Sequence, residues 1–86
     1  MKVLLPTPLI DYTAGAREVT AAGATLAAAL LDLDRQFPGI RFRMIDEQNQ
    51  VRAHIKLFVN RELERNLQRP LKASDELLVV AALSGG

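Results

Sequence analysis

The chain closes on Ala81-Ala82-Leu83-Ser84-Gly85-Gly86, and the chemistry most open to it lies there. A main-chain carboxylate has a pKa of about 3.5, so at neutral pH it is ionised and a poor electrophile. It reacts once an oxygen becomes a leaving group, as in an acyl-adenylate made from ATP. Glycine has no Cβ, so Gly85 and Gly86 can pass a narrow channel and take backbone angles closed to other residues. The reading is that the Gly86 carboxylate is the reacting group. Ser84 and Gly85 thread it into another protein's active site, and residues 82–86 form a flexible tail. On these residues alone, an ordinary frayed terminus remains the competing reading.

Little other chemistry is available. There is no cysteine, one histidine, no tryptophan and one tyrosine among 86 residues. That excludes a disulfide scaffold, a cysteine-based zinc site and a cysteine nucleophile. A triad or metal cluster would have to be built around His54 alone, and a chain this short has little room for a catalytic pocket. His54 is therefore expected on a sheet face with no catalytic role. With 49% apolar and 24% charged residues, the chain reads as one small globular domain, 1–86, whose own fold is not an enzyme.

Formal net charge is +1, which gives no overall footprint for nucleic acid. Residues 41–72 nevertheless gather Arg41, Arg43, Arg52, Lys56, Arg61, Arg65, Arg69 and Lys72 against Asp46, Glu47, Glu62 and Glu64. This is a solvated face or a docking surface for an acidic partner; Phe42 and Phe58 are the only local aromatics for stacking bases. No apolar run approaches the roughly 20 residues that span a bilayer. The start Lys2–Leu5 is too short for a signal-peptide core, so a cytoplasmic location is expected.

The elements that position the tail read as follows. Lys2-Val3-Leu4-Leu5 is a strand stopped by Pro6. Residues 6–16 have a loop composition, and Arg17–Ala21 returns as a second strand. Thr25 caps a helix whose Leu26, Leu30, Leu33 and Phe37 share one face, and Pro38-Gly39 ends it. Arg41–Ile45 and Val51–Val59 read as extended segments joined by the polar turn 46–50. In the second, Ile55, Leu57 and Val59 share one face, and His54, Lys56 and Phe58 share the other. Leu63, Leu67 and Leu71 suit a helical turn, but Pro70 ends it, leaving a short irregular connector. Leu77–Ala81 is a near-continuous apolar strand, central by composition.

This order predicts an α+β fold of the β-grasp, or ubiquitin-like, kind. A mixed sheet carries one main helix on one face, and the last strand lies parallel beside the first. The other face, with Lys56, Phe58, Leu78 and Val80, is left uncovered, as interaction sites often are.

With these elements in view, the chain resembles the MoaD/ThiS family of small ubiquitin-like sulfur carriers over nearly its whole length. The resemblance rests on Pro6-Thr7-Pro8-Leu9 with Thr13 and Gly15, on Gly23-Ala24-Thr25-Leu26, and on Phe37-Pro38-Gly39-Ile40. It continues through Phe58-Val59-Asn60, Ser74-Asp75-Glu76 and Gly85-Gly86. The Phe-Val-Asn strand end and the loop at Pro6 look most like carriers of the cysteine-biosynthesis type. Ile10, where those carriers usually have arginine, and the Ala-Leu-Ser-Gly-Gly ending keep the small subunit of molybdopterin synthase open, and a thiamine carrier ranks lower.

The resemblance implies a cycle. An E1-like adenylyltransferase of the MoeB/ThiF type uses ATP and magnesium to adenylate Gly86, and a sulfur donor converts the adenylate to a thiocarboxylate. An acceptor then takes the sulfur: a pyridoxal-phosphate (PLP) cysteine synthase or the molybdopterin synthase large subunit. The chain itself binds no cofactor, nucleic acid or membrane. The same resemblance marks Leu63 and Val80 as partner-facing, and strand alternation adds Phe58. Two readings of other classes stay open: a ubiquitin-like modifier joined to lysines through Gly86, and a non-catalytic binding module using the Phe58/Val80 face.

Overall fold

A computed structural model describes residues 1–82. Its sheet has five strands: β1 (Lys2–Leu4), β2 (Glu18–Thr20), β3 (Ile55–Val59), β4 (Glu62–Leu63) and β5 (Glu76–Ala81). They run in the order β2-β1-β5-β3-β4. β5 is the middle strand, as its apolar run implied. It pairs parallel to β1, with Val3 opposite Leu77, and antiparallel to β3, with Leu57 opposite Val79. Helix α1 (Leu26–Gln36) covers one face of this sheet. The arrangement is the β-grasp, or ubiquitin-like, fold that the element order predicted.

Burial follows the alternation of the strands. Val3, Ile55, Leu57, Val59, Leu77 and Val79 point into the core, where Leu26, Ala29, Leu30 and Leu33 of α1 meet them. Each fully buried leucine or isoleucine contributes about 1.5–3 kcal/mol relative to an exposed one, so this two-layer contact is the main source of stability. Phe37 closes the apolar stripe of α1 and packs half-buried against the same core.

The start of α1 shows why its neighbours have the sequence they do. The first four N–H groups of a helix have no partner within it. Here the Ala28 N–H donates to Thr25 Oγ1 (3.2 Å) and the Ala29 N–H to the Thr25 carbonyl. The Leu26 and Ala27 N–H groups donate to the carbonyls of Arg69 (3.0 Å) and Leu67 (2.7 Å). The connector is thus held against the helix start by main-chain bonds, which its irregular composition does not reveal.

Three sequence expectations are corrected. Arg41–Ile45 is not extended: Ile40–Met44 forms a short helix, α2. Ile40 and Met44, four apart, are both fully buried while Phe42 between them is exposed; a helical turn turns Phe42 away, whereas a strand would put all three on one face. Asp34 Oδ1 accepts the N–H groups of Gly39 and Arg41, and Gly39 makes the reversal at φ +96°. Second, the strand begins at Ile55 rather than Val51; Val51 only bridges to Ile45 across the turn. Third, residues 6–16 are not plain loop, because Thr7–Thr13 winds into a 3-10 helix with Pro8 in its first turn and Leu9 buried. Within the connector, Glu62–Leu63 adds a two-residue strand, and no helical turn joins Leu63, Leu67 and Leu71. Leu67 and Leu71 pack on the core while Leu63 is exposed.

No helix among the described residues is long and apolar enough to cross a membrane.

Candidate functional site

The face of the sheet away from α1 carries the partner-facing candidates. Register places Phe58 opposite Leu63 on β4 and opposite Leu78 on β5, and Leu78 in turn opposite Leu4 on β1. Leu4, Leu78, Phe58 and Leu63 therefore form one apolar row across four strands. Val80 stands beside this row on β5, opposite Lys56. Leu63 is 48% exposed, and Leu78 and Val80 are each 37% exposed, whereas Phe58 is half-buried between its neighbours. Exposed apolar side chains in one contiguous group are the usual mark of a contact surface.

The structure thus brings Leu63, Val80 and Phe58 together on one face. Leu4 was missed, because the uniformly apolar run Val3-Leu4-Leu5 conceals which residue faces which way. The signal lay in β5: once Leu77 is placed inside, parallel pairing puts Leu4 beside Leu78 outside. Polar residues border the row. Lys2 and Glu76 form an ion pair at 3.4 Å at one end, and Lys56 lies at the other.

Two of the motif segments meet. Asn60 and Arg61, at φ 49° and 71°, are the two central residues of the β3–β4 hairpin, a geometry that suits asparagine. The Asn60 side chain donates to Asp75 Oδ1 (2.9 Å) and accepts the Glu76 N–H (3.0 Å). Asp75 Oδ2 also accepts the Lys72 N–H (2.8 Å). That N–H, followed by the Asn60 amide, holds the Asp75 carboxyl below its ordinary pKa. The Phe-Val-Asn and Ser-Asp-Glu segments therefore form one clamp that sets β3, β4 and β5 in register.

β5 ends at Ala81. The Ala82 N–H still donates to the His54 carbonyl (2.7 Å), so the paired strand reaches one residue into the segment expected as tail. Ser84, Gly85 and Gly86 lie outside the described residues. His54 stands in the turn before β3 rather than on the sheet face expected for it, and is exposed, in a cleft of about 540 Å³ with Tyr12 and Arg43. The Arg43 Nε donates to the Tyr12 hydroxyl (2.6 Å), so the guanidinium is engaged. Among the described residues no group of three or more His, Cys, Asp or Glu could hold a metal ion.

Comparison with known proteins gives a consistent result. The ThiS family profile matches residues 3–86. The sulfur carrier protein CysO of Mycobacterium tuberculosis is 32% identical over 89 residues, covering 98% of this chain and 96% of that protein. A chain of the crystal structure of the Amycolatopsis orientalis BexX/CysO complex superposes with a TM-score of 0.89 at 31% identity, covering 99% of this chain and 98% of that one. SAMP1 from Haloferax volcanii, a small archaeal modifier protein, gives a TM-score of 0.79 at 30% identity, covering 100% and 98%.

Proposed function

The chain belongs to the ThiS family, and from that premise we propose that it carries sulfur on the Gly86 carboxyl group as a substrate of partner enzymes. The observation that carries the reading is the position of β5: the strand that precedes Gly85-Gly86 in sequence is the central one, and it contributes Leu78 and Val80 to an exposed apolar group on the open face. A partner that grips Leu63, Leu78 and Val80 receives the end of β5 in a fixed direction.

The proposed chemistry has two steps. A carboxylate oxygen of Gly86 attacks the α-phosphorus of ATP in an E1-like partner, forming the acyl-adenylate and releasing pyrophosphate. A sulfur nucleophile then adds to the activated carbonyl and expels AMP, leaving a thiocarboxylate. ATP and magnesium belong to the activating enzyme, and this chain binds no cofactor of its own. Likeness to the CysO proteins supports a cysteine-type route, with a PLP-dependent cysteine synthase as the acceptor.

The test is mass spectrometry of the intact chain after incubation with its adenylyltransferase, ATP, magnesium and sulfide. One oxygen exchanged for sulfur adds about 16 Da. Removing Gly86 should abolish the gain. Leu63→Asp and Val80→Asp should slow it at least about tenfold while costing only about 1 kcal/mol of stability, too little to unfold the chain. No mass gain with a partner that is active on another carrier would overturn the proposal.

Likeness to SAMP1 favours one second reading, a modifier attached to lysines through Gly86. It shares the activation step and differs in outcome. Lysine conjugates recovered from cells would favour it, and a thiocarboxylate chain would favour the carrier.

A further inference from the structure

Half of the cations between residues 41 and 72 converge on one groove. It has a volume of about 850 Å³ and lies at the β3–β4 edge of the sheet, between β3, the segment 49–53 before it and the connector after β4, with Arg41 reaching in from α2. Arg41, Arg52, Lys56 and Arg65 line it. Glu64 is the one carboxylate on its wall, and it is already engaged. Its Oε2 accepts the N–H groups of Arg65 (3.1 Å) and Asn66 (3.0 Å), and its Oε1 accepts Arg69 Nη1 (3.2 Å). The Asn66 N–H, with Arg69 and the Arg65 N–H, holds Glu64 ionised below the ordinary range. Its charge is thus matched by Arg69 rather than by the groove cations.

Those cations have no carboxylate partner among the described residues. Arg41 Nη2 donates to Asn49 Oδ1 (3.2 Å), but its Nε is buried with no hydrogen-bond partner, a costly arrangement for a charged group. Arg52 donates through Nε to the Phe42 carbonyl (2.7 Å) and lies over the Phe42 ring at 4.5 Å. That contact fixes its position while leaving its positive charge unneutralised. Lys56 and Arg65 are exposed. On a chain whose net charge is only +1, this is a concentrated positive site.

We infer that the groove docks an acidic, extended segment of a partner protein. The cations come from separate elements, α2, the segment before β3, β3 itself and the connector, spread along the groove wall rather than closing round one small anion. Of the two aromatics near these cations, Phe58 is half-buried in the sheet row and Phe42 is covered on one side by Arg52, a poor platform for stacking nucleic-acid bases. Lys56 and Leu63 line the groove and also belong to the open sheet face. A partner seated on that face therefore reaches the groove without a second approach. The inference concerns binding alone and does not depend on whether Gly86 carries sulfur.

The experiment titrates the nitrogen-15-labelled full chain with a capped peptide of alternating glutamate and threonine, about twelve residues long. A glutamine–threonine peptide is the neutral control, and inorganic pyrophosphate is the small-anion control. Amide shifts should concentrate at residues 41, 49–53, 56 and 64–67, saturate, and weaken as salt rises towards about 0.15 M. Lys56→Glu with Arg65→Glu should lower affinity at least about tenfold, whereas Arg61→Glu with Lys72→Glu should change it less than about twofold. Lys56→Gln with Arg65→Gln should give an intermediate loss, and this serves as the test if the charge-reversed chain does not fold. Equal binding of the glutamine peptide, shifts spread evenly to Arg61 and Lys72, or tighter saturable binding of pyrophosphate at the same amides would each overturn the inference.

Discussion

Replacing Asn60 with alanine should lower stability by about 2 kcal/mol while leaving the open sheet face intact. Two contributions make up the figure. Asn60 holds φ 49°, in the left-handed region, where a residue with an ordinary side chain costs about 1 kcal/mol more than glycine or asparagine. Its Oδ1 accepts the Glu76 N–H at 3.0 Å, and losing that bond costs about 1 kcal/mol. The contact with the exposed Asp75 carboxylate is left out of the sum. For a domain of this size, each kcal/mol moves the melting temperature by roughly 4–8 °C, so the expected fall is roughly 8–16 °C. Scanning calorimetry measures it directly. Asn60→Gly separates the contributions: glycine accepts the backbone angle but not the Glu76 N–H, so it should lose about half as much. An alanine variant that melts within about 2 °C of the parent would refute the clamp. A glycine variant as unstable as the alanine one would refute the backbone argument.

Gly23→Ala should cost about 1–3 kcal/mol in urea unfolding. A Cβ there would lie 2.4 Å from the Ala29 nitrogen and 2.7 Å from the Ala28 carbonyl carbon, both main-chain atoms of α1 that move only if the helix moves. Acid should also destabilise the fold. Asp32, Glu64 and Asp75 all have lowered pKa values in the folded chain, led by backbone N–H donors from Ala22, Asn66 and Lys72 respectively. Depressed folded values mean their stabilisation is fully present above the unfolded carboxylate pKa of about 4 and is lost as pH falls through the folded values. Melting temperature should therefore be flat above about pH 5 and fall below about pH 4, and Asp75→Asn should lessen that fall.

Where apolar spacing is strict, the sequence is enough to read the fold. Thr25 and the Leu26/Leu30/Leu33 stripe mark α1, and alternation along β3 and β5 assigns both faces of the sheet before any coordinate is seen. The misread segments are those whose structure depends on distant partners. α2 is five residues long and draws its N-terminal bonds from Asp34 on the preceding helix. β4 has two residues, and its position depends on the Asn60–Arg61 turn. Asn60 and Asp75 are fifteen positions apart, so their shared motif status gave no hint that they touch. The candidate face was legible in Phe58, Leu78 and Val80 through their period of two. Leu4 was hidden by the uniform run around it, and the groove cations by the folding back of the connector against α1.

The position of β5 has a mechanical consequence. On the proposed function, a partner enzyme that takes up the residues after Ala82 would load this strand along its axis. The strand is bonded to β1 on one flank and to β3 on the other, and the Ala82 bond to His54 extends the second ladder. Such a pull loads both rows of hydrogen bonds in shear, so they resist together. A strand at the sheet edge would instead peel away one bond at a time. Paired on both flanks, β5 is thus placed to bear a pull along its axis without unravelling.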